Sequence, residues 1–248
     1  MYRLLLTLSF LVLYSTGVFA QNFLKRQVPD QMKYNAAKVI DEELGIEMYE
    51  PFNFLLGGDS VRECGEYACS GWVEDLYESE ERLHKGYYID GQLKTYKNYY
   101  PNGALERHYK VLDNVRSSMK KYYSSGQLKS DVVYYEDTPQ EWTDYYPNGN
   151  VDYIEEYDKH FKYHVIRASY KEDGTPISKF ERVHKRKELF ESHEYYENGQ
   201  LKVKGEYMYS ENQFDVIKHG DWEYYDENGK LIKTEKWSTG QLKKTKNH

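Results

Sequence analysis

The sequence predicts an all-β protein, built as an elongated single antiparallel sheet of successive β-hairpin repeats with a short N-terminal helical cap. Three observations predict this fold class. Tyrosine is unusually frequent, with 28 copies against 9 of Phe in 248 residues, and tyrosine favours strands. A glycine-centred segment recurs eight times along the chain. The residues before about position 60 lack this segment and carry apolar side chains at helical spacing.

The composition excludes several classes of protein. Apolar residues make up 39% of the chain and charged residues 30%, with a mean hydropathy of −0.93, which is too polar for a protein with many membrane spans. Aromatic residues make up 17%, whereas disordered chains are poor in them. The net charge of −7 argues against a general nucleic-acid binder, because such proteins are basic.

Residues 1–20 have the pattern of a secretory signal peptide. Arg3 supplies a positive charge, the run from Leu4 to Tyr14 is largely apolar, and Val18 and Ala20 stand where a signal peptidase reads small residues. The apolar run is about half the roughly 20 residues that span a bilayer. We therefore expect cleavage after Ala20 and a secreted protein, located in the periplasm or at the cell surface.

Residues 21–60 predict a helical cap on the start of the repeats. Asp30 is a suitable N-cap residue, and Gly45 is a suitable stop. The apolar stripe between them comprises Met32, Ala36, Val39, Ile40 and Leu44. A repeat array needs such a cap because its first unit leaves one packed side open.

The two cysteines, Cys64 and Cys69, are separated by four residues. In an oxidising compartment this spacing indicates a local disulfide. A metal site needs more ligands than this pair supplies, and a redox pair usually has two intervening residues. We predict a disulfide, and free thiols remain the alternative.

Residues 61–248 are predicted to form the repeat array. The recurring segment is centred on Gly91, Gly103, Gly126, Gly149, Gly174, Gly199, Gly229 and Gly240. Most of the spacings lie near 23 residues, which is typical of repeat proteins. Strand-forming residues flank turns of the type Pro-Asn-Gly, Ser-Ser-Gly or Glu-Asn-Gly, so each segment predicts the tip of a hairpin.

Two turn geometries fit these hairpin tips. A two-residue type I′ turn needs a positive φ at the residue before glycine, and the β-branched Thr239 resists that conformation. A three-residue loop needs a positive φ at glycine alone, and it suits Pro101 and Pro147 at its second position. The three-residue loop is therefore the favoured prediction.

This loop pairs the tyrosine four residues before glycine with the Leu or Val two residues after it. Such aromatic–aliphatic pairs stabilise sheets by roughly 0.2–1 kcal/mol each. We call these residues the paired tyrosines and expect them on the packed face: Tyr87, Tyr99, Tyr122, Tyr145, Tyr170, Tyr195 and Tyr225. The next residue points to the opposite face. We call its aromatic members the predicted contact row: Tyr88, Tyr100, Tyr123, Tyr146, Tyr196 and Trp237. The alternative is that these rings merely suit a strand and cover their neighbours.

The pattern Tyr-Tyr-x-Asn-Gly-x-Leu-Lys resembles the MORN-repeat superfamily in its bacterial variant form, which includes the antitoxin-like YwqK-type group. The resemblance covers residues 87–248 and weakens near Gly174, where Pro176 replaces the aliphatic residue. It implies an elongated antiparallel sheet of hairpins. It also implies roles in scaffolding, protein contact or lipid contact, without a fixed catalytic set to carry over.

The residues predict no catalytic site, metal site or cofactor. His160 and His164 fall on a β-rich segment, which would hold them about 13 Å apart. Adjacent carboxylates such as Glu155 and Glu156 point to opposite faces of a strand. The pair Gly57-Gly58 lacks the Lys-Ser/Thr that follows in a phosphate-binding loop. We therefore expect a protein that is not an enzyme.

Charge is distributed unevenly along the chain. Residues 131–158 contain nine acidic residues and no Lys or Arg, whereas residues 229–248 contain six Lys and one Glu. Charged sheet edges that block aggregation explain this simply, and end-to-end self-association is the sharper hypothesis. The leading prediction is an interaction scaffold for an unknown protein partner. The alternatives are a binder of polysaccharide or membrane surfaces, and an extracytoplasmic immunity or antitoxin-like protein.

Overall fold

The computed structural model describes residues 33–41, 46 and 61–248. Within these residues sixteen strands form one sheet, and two more form a separate hairpin. The elements are β1 (Lys33–Tyr34), α1 (Ala36–Val39), β2 (Glu63–Cys64), β3 (Tyr67–Ala68), β4 (Gly71–Tyr77), β5 (Arg82–Ile89), β6 (Gln92–Tyr99), β7 (Leu105–Val111), β8 (Arg116–Tyr122), β9 (Leu128–Tyr135), β10 (Thr138–Tyr145), β11 (Val151–Tyr157), β12 (His164–Tyr170), β13 (Pro176–His184), β14 (Leu189–Tyr195), β15 (Leu201–Ser210), β16 (Asp215–Tyr225), β17 (Leu231–Ser238) and β18 (Gln241–Asn247).

The large sheet is a meander. Strands β4 to β18 follow one another in chain order, and each is antiparallel to its neighbours. At about 4.8 Å between strands, the sheet is a ribbon roughly 70 Å long. The predicted fold class, a single antiparallel sheet of successive hairpins, is confirmed.

The meander gives the ribbon two long edges on which the connections alternate. We call one the glycine edge, because it carries the turns at Gly103, Gly126, Gly149, Gly174, Gly199 and Gly229. The variable edge carries the connections 90–91, 112–115, 136–137, 158–163, 185–188, 211–214 and 239–240. The eight sequence segments are therefore not equivalent, because Gly91 and Gly240 lie on the variable edge.

The turns of the glycine edge have the predicted three-residue loop. In the first of them the Gly103 N–H donates to the Tyr100 carbonyl at 2.8 Å, and the Tyr100 N–H donates to the Ala104 carbonyl at 2.9 Å. Gly103 has φ 78°, a conformation that glycine adopts without steric cost. The resulting register pairs Tyr99 with Leu105, Tyr122 with Leu128, Tyr145 with Val151, Tyr170 with Pro176, Tyr195 with Leu201 and Tyr225 with Leu231.

The two glycine turns on the variable edge, at Gly91 and Gly240, contradict the predicted three-residue loop. Gly91 and Gly240 each follow a residue that also has positive φ: 49° at Asp90 and 49° at Thr239. These are two-residue turns, whose backbone twist matches that of the flanking strands. The fit of this turn to the twist of the strands outweighs the steric cost of a positive φ at Thr239. As a consequence Leu93 faces Tyr88 rather than Tyr87.

The N-terminal helix is shorter than the sequence predicts. It begins at Ala36, and the Asn35 side chain caps it by accepting the Ala37 N–H at 3.0 Å. The two preceding residues form β1, which pairs in parallel with β4. Asp30 and most of the predicted cap lie outside the described residues, as does the predicted signal peptide.

The described part of this region packs on the first hairpin. Val39 and Ile46 form a buried cluster with Tyr77 and Leu83. The Tyr77 and Leu83 side chains belong to β4 and β5, so the cluster covers the start of the ribbon.

A disulfide joins Cys64 to Cys69 within the β2–β3 hairpin. This hairpin is bonded to the turn at Gly91. The Arg62 N–H donates to the Gly91 carbonyl at 2.8 Å, and the Gly91 N–H donates to the Cys69 carbonyl at 2.7 Å. The Arg62 guanidinium also forms a buried ion pair with Asp75 on β4.

Strand alternation gives the ribbon two different faces. The aromatic face carries ring contacts that run from strand to strand, including Tyr96 against Tyr109 at 5.3 Å and Phe180 against Phe190 at 5.1 Å between centroids. The charged face carries ion pairs such as Lys120–Asp131 on neighbouring strands. The core of the ribbon therefore lies on one side of a single sheet.

Candidate functional site

The predicted contact row lies on the aromatic face, which is the face that carries the buried residues. Tyr88 and His84 are four residues apart on β5, and both are 0% exposed. The Tyr88 hydroxyl lies 3.0 Å from His84 Nε2. The prediction that Tyr88 is a contact residue is therefore wrong. The prediction of which face is packed is also wrong. Lys171 and Asp226 favour a wetted face for this row, but the row lies on the face that carries the buried residues.

Four tyrosines of the row bond to the next hairpin on the glycine edge. Each hydroxyl donates to the backbone carbonyl of the next paired tyrosine, at 2.7–2.9 Å. The pairs are Tyr100 to Tyr122, Tyr123 to Tyr145, Tyr146 to Tyr170, and Tyr196 to Tyr225. Tyr77 makes the same bond to Tyr99 at 2.9 Å. We call this series the tyrosine ladder.

The ladder explains why tyrosine recurs at this position. A phenol reaches across one hairpin and satisfies a carbonyl that would otherwise need water. The rings are half-buried, and their hydroxyls are committed within the protein. A binding role for these four residues stays a prediction.

Asparagine in the turns adds a second link between hairpins. The side-chain amide of Asn148 donates to the Glu172 carbonyl at 2.7 Å, and its Oδ1 accepts the Asn150 N–H at 2.9 Å. Asn102 and Asn198 make corresponding pairs of bonds. Each asparagine thus closes its own turn and bonds the next. On the glycine edge, asparagine side chains therefore link these turns to the turns that follow them.

Trp237, the last member of the predicted contact row, lies in a different setting. It belongs to a cluster on β16 and β17 that we call the C-terminal aromatic surface: Lys218, Trp222, Tyr224, Lys233, Glu235 and Trp237. Trp222 faces Glu235 across the sheet, and Tyr224 faces Lys233. Trp222 is buried, whereas the other five side chains are half-buried.

A glycine beneath the cluster fixes the position of Trp222. A Cβ added at Gly205 would lie 2.1 Å from the Trp222 ring, which no side chain tolerates. The ring also meets Tyr207 edge-on, with 5.0 Å between centroids. Trp222 therefore packs flat on the backbone of β15 and supports the rest of the surface.

The two lysines of the surface lie over aromatic rings. Lys218 Nζ is 3.9 Å from the Trp222 centroid and 4.8 Å from the Trp237 centroid. Lys233 Nζ is 3.8 Å from the Tyr224 centroid. Each such contact is worth about 0.5–2 kcal/mol, depending on desolvation. These cations hold the rings in place and leave ring area open to solvent.

Glu235 joins the same groups through its carboxylate. It accepts the Tyr224 hydroxyl at 2.7 Å, Lys233 Nζ at 2.9 Å and Trp237 Nε1 at 3.1 Å. Burial acts to raise the pKa of Glu235, but these three bonds outweigh it and lower the pKa to about 2. Burial, followed by the bond to Glu235, raises the pKa of Tyr224. The polar tips are therefore paired within the surface.

Within the described ranges, no group of three or more His, Cys, Asp or Glu side chains could hold a metal ion. His164 bonds to Glu155 at 2.6 Å, while His160 lies in the exposed loop before β12. In the same part of the chain, no helix has the length and apolarity to cross a bilayer.

Of the six residues of this surface, Trp237 alone belongs to the predicted contact row. A period-two signal was present, because Trp222 and Tyr224 alternate on β16 while Lys233, Glu235 and Trp237 alternate on β17. The glycine motif does not predict the other five residues, because all five lie outside the repeated segment.

The fold and this surface define a hairpin-repeat protein with a cluster of charged and aromatic side chains on its last long hairpin. Residues 118–137, 141–159, 193–209 and 218–238 match the family model described as MORN repeat variant. Each matched segment contains one turn of the glycine edge. The array therefore contains four repeats of the MORN variant type.

No curated protein sequence matches the chain. Among solved structures, a mutant of Staphylococcus aureus TarM in complex with fondaparinux, alpha-GlcNAc-glycerol and UDP is 8% identical, with 50% of this chain covered and a TM-score of 0.21. The chain spans about one fifth of TarM, 19% of its length. A Bacteroides fragilis protein of unknown function is 11% identical over 67% of this chain and 91% of its own, with a TM-score of 0.15. Both TM-scores are too low to indicate a shared fold.

Proposed function

We propose that this MORN-repeat protein is secreted, is not an enzyme, and acts as a scaffold that binds a protein partner through the C-terminal aromatic surface. The observation that carries the proposal is a set of half-buried indole and phenol rings whose polar tips are already paired. Trp and Tyr dominate the energetics of protein interfaces because they bury a large area at low entropic cost.

The rigidity of the surface supports the same proposal. Trp222 packs on Gly205, and Glu235 is bonded to three neighbours. A surface held in one arrangement loses little conformational entropy when a partner binds. A contact scaffold needs this property.

A photo-cross-linking residue in the full chain tests the proposal. Placed at Trp237, it is expected to form a covalent adduct with a discrete protein partner in the native cells. The matched control is Lys236, which neighbours Trp237 on β17 but points to the charged face. An adduct of equal yield from both positions would contradict the assignment of the surface.

Carbohydrate binding is the second candidate, because half-buried aromatic rings also suit the apolar faces of sugars. Purified protein that is retained on insoluble cell-wall polysaccharide, with retention lost in Trp237→Ala and no protein adduct from position 237, would favour it. Retention on protein-free lipid vesicles under the same conditions would instead favour a membrane surface.

Secretion is a separate part of the proposal. It is supported by the charged, apolar and small-residue order of residues 1–20. N-terminal sequencing of the exported protein is expected to begin at Gln21. An intact Met1 in the exported protein would contradict it. An immunity or antitoxin-like role stays a prediction of the family resemblance, and a toxin encoded beside the gene would support it.

A further inference from the structure

The connections of the variable edge change in character along the ribbon. Successive connections on one edge are two strands apart, or about 10 Å. The apolar side chains Leu112 and Val115 are 44% and 40% exposed in the connection 112–115, and Phe214 is 80% exposed in the connection 211–214. An acidic turn and a basic turn lie between these two apolar positions.

The acidic turn consists of Glu136 and Asp137, both exposed and both with positive φ. Among the described residues no ion pair engages either carboxylate. Arg116, which faces Tyr135 beside this turn, is paired with Asp113 at 2.8 Å. Partial burial and the neighbouring Glu136 raise the pKa of Asp137. The turn therefore carries negative charge that the protein does not neutralise.

The basic turn comprises Lys185, Arg186 and Lys187, all exposed. No ion pair engages these three side chains within the described part of the chain. The acids beside them are committed elsewhere: Glu188 accepts the Tyr163 hydroxyl at 3.1 Å, and Glu211 pairs with Lys162 at 3.3 Å. This turn carries positive charge without a counter-charge, on a chain of net charge −7.

The charged and apolar side chains of this edge are ordered so that a second copy, running in the opposite direction, presents a complementary group at each position. Along the edge, the exposed apolar Leu112 and Val115 come first, followed by the acidic turn, the central loop 158–163, the basic turn and the exposed apolar Phe214. When two such edges align antiparallel about the central loop, acidic meets basic and Leu112 and Val115 meet Phe214. A parallel alignment would place like charges together. Reversed order is what a twofold-related contact requires, because each patch then meets its complement.

We propose that the variable edge binds the variable edge of a second copy in antiparallel alignment, with the Glu136–Asp137 turn of one copy against the Lys185–Lys187 turn of the other. Exposed ion pairs are individually weak, so the association is weak and sensitive to salt. The contact differs from end-to-end association through the Lys-rich strand β18. The residues of the C-terminal aromatic surface lie on β16 and β17, outside the acidic and basic turns.

An extended anionic surface fits this edge less well. The acidic turn lies four strands, or roughly 20 Å, from the basic turn on the same edge. A membrane of anionic lipids that contacted the basic turn would also approach Glu136 and Asp137 and be repelled there. A second copy satisfies both turns.

Sedimentation of the full chain and of two charge-reversal variants tests the proposal. The variants are E136K/D137K and K185E/R186E/K187E. The unmodified protein is expected to associate at low salt and to dissociate at about 0.5 M NaCl, where screening is strong. Each variant alone is expected to show at least a roughly tenfold higher dissociation constant, because like charges then meet.

Mixing the two variants gives the decisive result. The reversed turns of one variant match those of the other, so the equimolar mixture is expected to regain association close to that of the unmodified protein. Recovery also shows that both variants are folded. The control K243E/K244E/K246E lies on β18 and changes the net charge by the same amount as K185E/R186E/K187E. It is expected to keep association intact.

Four outcomes would overturn the proposal. They are a monomer at low salt, single variants that associate normally, a mixture that fails to recover, and a β18 variant that dissociates as much as the basic-turn variant. Retention on heparin or anionic vesicles, with the free protein a monomer, would assign the basic turn to a polyanion instead. None of these outcomes bears on cross-linking from Trp237, so the proposed function stands or falls separately.

Discussion

The two long edges of this ribbon are built on different principles. On the glycine edge, turns of one geometry stack upon each other through the tyrosine ladder and the turn asparagines. On the variable edge, connections of two to six residues differ in length, charge and apolarity. The repeated motif therefore specifies the edge on which the turns stack. The opposite edge is free to vary and can carry properties particular to this chain.

The largest expected difference between the edges concerns backbone conformation. Gly126 has φ 94°, and a Cβ there would meet no atom within 4 Å, so Gly126→Ala tests conformation alone. We expect a loss of about 1–2 kcal/mol in unfolding free energy, measured by chemical denaturation. Phe214 on the variable edge also has positive φ without being glycine. Phe214→Ala is expected to change stability by less than about 0.5 kcal/mol.

Removing one rung of the tyrosine ladder should have the next largest effect. Tyr123→Phe deletes the hydroxyl that donates to the Tyr145 carbonyl at 2.7 Å, and we expect a loss of about 1 kcal/mol. The control is Tyr135→Phe at the variable edge, whose hydroxyl has no bond to the described residues. Equal losses of unfolding free energy in the two variants would show that the ladder hydroxyl contributes no more than a hydroxyl on the variable edge.

The turn asparagines should contribute somewhat less. Asn148→Ala removes the bonds to Asn150 and to Glu172, and both groups are exposed to water. We expect a loss of about 0.5–1 kcal/mol. Asn212→Ala on the variable edge is the matched change and is expected to be neutral within experimental error. A neutral Asn148→Ala would show that the stacked turns do not depend on this side chain.

The smallest effect should be a gain on the variable edge. Thr239 holds φ 49°, which a β-branched residue adopts at a cost. Thr239→Gly is expected to stabilise the protein by a few tenths of a kcal/mol, because relief of strain is partly offset by the entropy of glycine. A clear loss of stability in thermal denaturation would mean that the Thr239 side chain makes a contribution of its own.

The register on the glycine edge could be predicted because the loop fixes it locally. A three-residue loop sets Tyr122 opposite Leu128 whatever the rest of the chain does. The turns at Gly91 and Gly240 could not be predicted in this way. Their sequences resemble the others, and their geometry depends on the edge at which the chain arrives, which is a property of strand order.

The exposed and buried faces could not be assigned from the motif. Alternation shows that Tyr87 and Tyr88 point to opposite sides, but it does not say which side is packed. That choice is made by mid-strand residues such as Tyr96 and Tyr109, which lie outside the repeated segment. The C-terminal aromatic surface could not be predicted for a related reason, since its residues come together only when β16 and β17 are paired.

The most direct measurement of the central claim is amide hydrogen exchange in the full chain, comparing the unmodified protein with Tyr123→Phe. If the ladder links each hairpin to the next, protection should fall at the amides of Tyr146 and Gly149, one repeat beyond the substitution. The connection 136–137 on the variable edge should exchange as before. A loss of protection confined to the hairpin of Tyr123, or equal on both edges, would contradict the account.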